Sequence, residues 1–294
     1  MPSLKDLKDR IASVNSTRKI TSAMKMVAAA KLRRAQEQAE AGRPYAERMR
    51  TLLANLAAGS HADLALLQGT GSEQTQLIVL ATADRGLAGG FNTNLIRETL
   101  RQARAHLEAG RQVKFYCLGR KGAVAVRRDY PDALIKVVED LDKPRLGFDK
   151  ASAIAQDLLS LFDAKAFDVA TLIYAEFHSA ISQEVTPLRL IPFRLDEAED
   201  NSQADSSAAA TLHDYEPNEA DILADLLPRN IAVQIYRGLL ENAASEQGAR
   251  MTAMDNATRN AGDMVGQLTL LYNRTRQAQI TKELIEIVSG AEAL

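Results

Sequence analysis

Leu4, Leu7, Ile11 and Val14 fall at alternating steps of three and four, the spacing at which a helix offers a partner one narrow apolar seam. Ser3 precedes them with Asp6 three residues on, a capping-box arrangement for the first turn. The pattern slips near Arg18, after which Ile20, Met24 and Val27 resume an apolar stripe. Gly42-Arg43-Pro44 predicts a kink or loosening, because proline takes one hydrogen bond out of the ladder. A helix over 1–58 follows, about 80 Å long. One small domain cannot cover it.

The pattern then shortens. Leu77 to Ala81 is an apolar run that predicts a buried strand, and Asn92 or Thr93 starts a helix through Glu108 that Gly110 ends. Val113 to Leu118 predicts a second strand, Arg120 to Arg128 a helix, Leu134 to Val138 a third strand and Lys150 to Phe162 another helix. Val169 to Phe177 and Thr186 to Ile191 complete the set. Such alternation predicts an α/β domain over 75–192 with a mostly parallel sheet, Rossmann-like in its layering. The run from Asp196 to Ser207 is almost wholly polar, so 193–216 reads as a surface loop.

From 217 to 294 the helical pattern returns. Asn218, with Asp221 three residues later, can cap it, and Pro228 predicts an early kink. Met254, Ala257, Ala261, Met264, Leu268, Leu271, Thr275 and Ala278 keep steps of three and four, and small seam residues let helices approach closely. Two long terminal helices, each with a narrow stripe, satisfy one another best as an antiparallel coiled coil. The α/β domain then sits at one end, where the chain leaves one helix and returns to the other. An ordinary helical bundle is the alternative, but no other long helices exist to complete it.

Composition sharpens this picture in two ways. Aromatic content is 5 % with no Trp, which favours long helices with small contact faces over a bulky interior. Net charge is only −2, yet Ile11 to Gln36 holds no acid while Arg18, Lys19, Lys25, Lys31, Arg33 and Arg34 are basic, and the C-terminal region is net acidic. A solvated face and an acidic partner surface both fit that run. Nucleic acid is disfavoured for want of interleaved aromatics or a recognisable module. Cys117 is the only cysteine, so no intrachain disulfide or cysteine metal cluster forms, and a reducing cytoplasmic setting is expected. No signal-peptide core and no membrane-spanning run is seen, so contact with a membrane is expected only through partners.

Chemistry is sparse. Asp84-Arg85-Gly86-Leu87-Ala88-Gly89-Gly90-Phe91-Asn92 lies between a strand and a helix, where phosphate-binding loops sit. It lacks the lysine ending of a P-loop and the dinucleotide spacing, and its glycines equally suit a structural turn. The histidines, His61, His106, His178 and His213, are scattered without ligand spacing, and no paired acid and base or nucleophile motif appears. No catalytic residue, cofactor or metal is expected.

Ile20 to Leu32, Asp84 to Asn92, Ala244 to Met251 and Tyr272 to Ala291 together resemble the gamma subunit family of F-type ATP synthases, in order and from end to end. The resemblance implies a non-catalytic central shaft inside a hexamer of alpha and beta subunits, with the α/β domain as a foot on the membrane c ring beside epsilon. It implies one copy per complex, peripheral on the cytoplasmic face of the bacterial inner membrane. It further implies that Arg276, Gln277 and Thr281, with Arg250 further along, meet a beta-subunit loop. Lys25, Lys31, Arg33, Arg34 and Arg85 would face the alpha and beta subunits, and Tyr215 and Glu216 epsilon and the ring. Ala88 stands where many relatives carry Cys, and the regulatory cysteine pair of the chloroplast form is absent. Two other readings compete: a Rossmann-type nucleotide-binding enzyme with helical oligomerisation arms, and a passive coiled-coil scaffold.

Overall fold

The computed structural model describes residues 3–59, 65–143, 145–193 and 219–292. The chain divides into two compact units, Met1–Ala30 with Arg250–Leu294, and Lys31–Ala249. Helix α1 runs over Leu4–Gly59 and the last helix, α6, over Glu219–Glu292. The predicted capping box forms: Ser3 N donates to Asp6 Oδ2 and Asp6 N to Ser3 Oγ, both at 3.1 Å. Pro44 and Pro228 end neither helix. A mid-helix proline costs about 3 kcal/mol, comparable to burying two leucines. Near these prolines Leu53, Leu56, Leu223 and Leu227 are buried together in the second unit and supply that much. The Asn218 cap and the 196–207 run lie outside the described residues.

In the first unit the terminal helices pack together antiparallel. Arg18 meets Gly262, Thr21 meets Thr258 and Lys25 meets Asp255, so numbers fall on one helix as they rise on the other. The expected phase slip at Arg18 does not occur. Leu4, Leu7, Ile11, Val14, Thr21, Lys25 and Ala28 keep one heptad frame of buried and half-buried positions, broken only by the exposed Arg18. Of the expected stripe Met24 is half-buried, while Ile20 and Val27 are 57 % and 58 % exposed. Apolarity marked the wrong side there because the seam itself turns polar. On α6 the seam is Met254, Thr258, Ala261, Val265, Leu268, Tyr272 and Thr275. Met264 and Leu271, expected on it, are exposed.

In the second unit β1 (Thr75–Ala81), β2 (Gln112–Leu118), β3 (Leu134–Val138), β4 (Val169–Phe177) and β5 (Gln183–Ile191) form one sheet in the order β3-β2-β1-β4-β5. All neighbours are parallel except β4 and β5. β5 begins earlier than expected and carries Pro187 within it, which an edge strand tolerates. A short helix α2 (Ala65–Gln68) precedes β1. Helices α3 (Phe91–Glu108) and α4 (Arg120–Asp129) cover one face through Leu95, Ala103 and Val126. Helix α5 (Phe148–Asp163) and part of α6 cover the other through Leu158, Phe162, Ile231 and Ile235. Both faces of β1 are therefore buried, which explains its unbroken apolar run. Gly110 ends α3 as expected: its φ is 76°, and Gly110 N and Arg111 N donate to Leu107 O and His106 O at 3.0 and 2.9 Å.

β4 runs past the end of its β1 pairing, and α6 supplies the missing partners. Asn242 Oδ1 accepts from Ala175 N at 3.1 Å, Ser245 Oγ donates to Ala175 O at 3.0 Å and Glu241 Oε2 accepts from Phe177 N at 3.3 Å. Gly238 makes this close approach possible, since a Cβ there would lie 2.7 Å from Leu172 Cδ2. Among the described residues no helix is long and apolar enough to cross a membrane.

Candidate functional site: the helix pair and the β1–α3 turn

The turn from Asp84 to Gly90 leaves the carboxyl edge of the sheet, where open α/β folds hold phosphates. Here the donors at the start of the neighbouring helix α4 are already engaged. Asp84 Oδ1 accepts from Arg120 N and Oδ2 from Asp140 N, both at 2.9 Å. Lys121 N donates to Ala83 O at 3.1 Å and Gly122 N to Thr82 Oγ1 at 2.8 Å. The first N–H groups of α4 thus bind oxygens of the chain itself, and the Asp84 carboxylate stands where an anion would. Gly119, with φ 97°, presses against the strand end so closely that a Cβ would fall 2.1 Å from Thr82 O. Asn92 does not cap α3 as expected. Its Oδ1 accepts from Ala83 N at 2.9 Å and ties the helix start to the end of β1. Ala88 is buried beneath, Gly89 has φ 57°, and Arg85 and Leu87 are exposed. Of the two readings of these glycines, the geometry favours the structural turn.

Asp84, Asp140 and Asp142 bring carboxylate oxygens within 4.8 Å of one another. Cations answer them: Lys143 Nζ lies 2.6 Å from Asp140 Oδ1 and holds that carboxyl below the usual range, with Arg120 and Arg85 adding to the effect. His106 and His178 lie in separate elements, and His61 and His213 fall outside the described residues. Burial pushes the Cys117 thiol up to about 12, so it stays protonated at neutral pH.

The first unit holds a polar layer that apolar periodicity did not reveal. Lys25 Nζ sits 2.6 Å from Asp255 Oδ1, and Arg259 Nη2 lies 2.8 Å from Asp255 Oδ2. The hydrogen bond from Lys25, followed by the Arg259 charge, holds the Asp255 carboxyl below the usual range. Beside it the Thr258 and Thr21 hydroxyls are 2.8 Å apart, and Thr21 Oγ1 donates to Arg18 O at 3.1 Å. Asp255, Thr21 and Thr258 went unnoticed in the sequence. Counting heptads straight through Arg18, regardless of polarity, is the signal that finds them.

Past Thr275 every described side chain of α6 is exposed, including Ile280, Leu284, Ile285 and Val288. Arg276, Gln277 and Thr281 all lie on this bare stretch, and Thr281 Oγ1 donates back to Gln277 O at 2.9 Å. A helix carrying that much uncovered apolar surface calls for another protein around it. Arg250 is half-buried at the start of the same unit. In the second unit Lys31 stands 4.0 Å from Asp142, Arg33 pairs with Glu37 at 3.1 Å and Arg34 is exposed. Tyr215 and Glu216 lie outside the described residues. Among the described residues the predicted contacts are thus dispersed along two helices and one turn.

Comparison with known proteins bears on the same features. The family model described as "ATP synthase" matches residues 3–294. The chain is 55 % identical to the ATP synthase gamma chain of Allorhizobium ampelinum, 54 % to that of Rhodospirillum rubrum and 55 % to that of Paracoccus denitrificans, each over the whole of both chains. Among solved structures it resembles a chain of the central stalk and c ring of the Tetrahymena thermophila mitochondrial ATP synthase. That match has TM-score 0.60 and 27 % identity, covering 81 % of this chain and 99 % of the other. A rotor chain of the Euglena gracilis mitochondrial enzyme shares the fold at TM-score 0.67 and 18 % identity, covering 94 % and 98 %.

Proposed function

The chain belongs to the ATP synthase gamma chain family, and on that premise we propose that it turns as the central stalk of an F-type ATP synthase, coupling proton flow through a membrane c ring to ATP synthesis on the beta subunits. The gamma chain is a non-catalytic part of that complex. One copy sits peripherally on the cytoplasmic face of the bacterial inner membrane. The paired ends of α1 and α6 form the shaft inside the hexamer of alpha and beta subunits. The sheet unit forms the foot, with Tyr215 and Glu216 toward epsilon and the c ring. The reading is carried by the bare end of α6, where Arg276, Gln277 and Thr281 stand exposed beside uncovered apolar side chains.

The physics suits a bearing. Arg276, Gln277 and Thr281 meet a beta-subunit loop, and Lys31, Arg33, Arg34, Arg85 and Arg250 face acidic stator surfaces, with the exposed side of Lys25 among them. Solvated ion pairs are worth about 0–1 kcal/mol each, so they guide the shaft without trapping it at one angle. Apolar contacts at Ile280, Leu284 and Val288 are non-directional and so impose little angular preference. The competing nucleotide-enzyme reading needs an open anion position at the sheet edge, and Asp84 holds that position. Replacing Arg276 and Gln277 together with Ala is expected to lower ATP-driven proton pumping per ATP hydrolysed while the sheet unit stays folded. Pumping equal to that of the native complex would overturn the assignment of these residues.

A further inference from the structure

The seam between α1 and α6 in the first unit is polar where such seams are ordinarily apolar. After Val14 the seam passes through Arg18, Thr21 and Lys25 before Ala28 restores an apolar contact. Each polar group meets a matched feature of α6. The Arg18 stem packs over Gly262, its Cδ at ordinary contact distance, 3.9 Å, from where a Cβ there would stand. Thr21, only 8 % exposed, has its hydroxyl 2.8 Å from that of Thr258. Lys25 finds Asp255 at 2.6 Å.

The full set of pairs forms in one register only. Sliding α6 by one heptad so that Gly262 faces Lys25 also sets the Thr21 hydroxyl against Val265 and removes both pairings. Sliding it the other way sets Gly248 against Lys25 and Met251 against Thr21, and keeps only one charge pair, between Arg18 and Asp255. The apolar seam residues next to this layer give less discrimination, because Ala28 and Ala261 are small and alike. A polar residue at a seam position is the known means of specifying register at some cost in stability. We propose that Lys25, Asp255, Thr21 and Thr258 are positioning residues that fix the axial register of α1 against α6. On the rotor reading, which this clause alone requires, they set the height at which Arg276, Gln277 and Thr281 meet the stator.

Disulfide trapping in the full-length chain tests this. An Arg259→Gln background leaves Lys25 as the cationic neighbour of Asp255, and the buried Cys117 does not compete. Val14→Cys with Val265→Cys reports the native register, and Val14→Cys with Tyr272→Cys and Ile11→Cys with Ala261→Cys report the one-heptad slides in the two directions. Lys25→Asp is expected to raise a slid cross-link about tenfold relative to the native one, and Lys25→Asp with Asp255→Lys to return the ratio to within about twofold of the native chain. In the assembled complex, pumping per ATP should fall and recover in step. A Lys25→Asp chain that cross-links as the native one does, or a charge swap no better than the single change, overturns the proposal. Should Lys25→Asp fail to fold, a swap that folds in register supports it and a swap that also fails overturns it. Because register is read on the chain itself, an in-register chain that does not couple counts against the rotor reading alone.

Discussion

Gly119 and Asp84 illustrate how much of the sheet edge rests on single residues. Gly119 has φ 97° and would place a Cβ 2.1 Å from Thr82 O, so Gly119→Ala meets both backbone strain and a clash with rigid backbone. The expected loss is on the order of 3 kcal/mol, read as a lowered urea midpoint. Asp84→Ala removes the carboxylate that the N–H groups of Arg120 and Asp140 share and leaves them to water, at a cost of about 1 kcal/mol. Asp255 adds a pH signature. Its folded pKa lies below its unfolded value, so its contribution is present above about pH 4 and is lost as pH falls through the folded value. Asp255→Asn should therefore lower the urea midpoint at pH 7, by an amount that shrinks as pH falls below about 4. At this scale the sequence was only partly legible. The Ser3–Asp6 box and the Gly110 stop rest on local offsets and were found. The partners of Asn92 and Asp84 lie across the fold, where no local pattern can show them.

Among the elements, α6 carries two jobs that its periodicity alone does not separate. Between Asn230 and Gly248 it is buried on nearly every side, because it covers the sheet and also completes the hydrogen bonding of β4. Asn242→Leu with Ser245→Ala would leave the Ala175 N–H and C=O without these partners inside the protein. A loss of about 2–4 kcal/mol is expected, with earlier hydrogen exchange at the end of β4 than at β1. Most strands and helices of the second unit were legible to within two residues, β5 and the short α2 excepted, since β1 and most of β2 and β4 are buried and apolar. The α1–α6 seam was legible only in part: Leu4 to Val14 and Met254, Ala261, Leu268 and Thr275 lie on it as expected, while Ile20, Val27, Met264, Leu271 and Ala278 are exposed. A helix whose contact face is Arg18, Thr21 and Lys25 while Ile20 and Val27 point outward inverts the usual rule. The inversion itself marks Ile20 and Val27 as surface kept apolar for something outside this chain.

At the scale of the whole molecule, the sequence disclosed the architecture because two long helices with narrow stripes and an alternating α/β segment between them have few ways to satisfy one another. What it could not disclose is which charges remain free for partners, since that depends on pairings across the helices. Lys25 and Arg33 have carboxylates within 3.1 Å, whereas Arg34 and Arg276 make no ion pair among the described residues. If Lys31, Arg34, Arg85, Arg250 and Arg276 engage acidic stator surfaces, their combined attraction is long-ranged and solvated. Screening shortens from about 8 Å at physiological salt to about 3 Å at 1 M. With a few tenths of a kcal/mol lost at each of several contacts, the association constant of the chain for the alpha–beta hexamer should fall roughly tenfold between these conditions. The Lys25–Asp255 register cross-link should respond far less over the same range, because that pair is in direct contact at 2.6 Å and partly shielded by its helices. Association measured by reassembly kinetics and register measured by disulfide trapping therefore separate the two kinds of charge. An association constant indifferent to salt would mean that the exposed cations do not steer the shaft, and would leave the bare apolar end of α6 as the main contact.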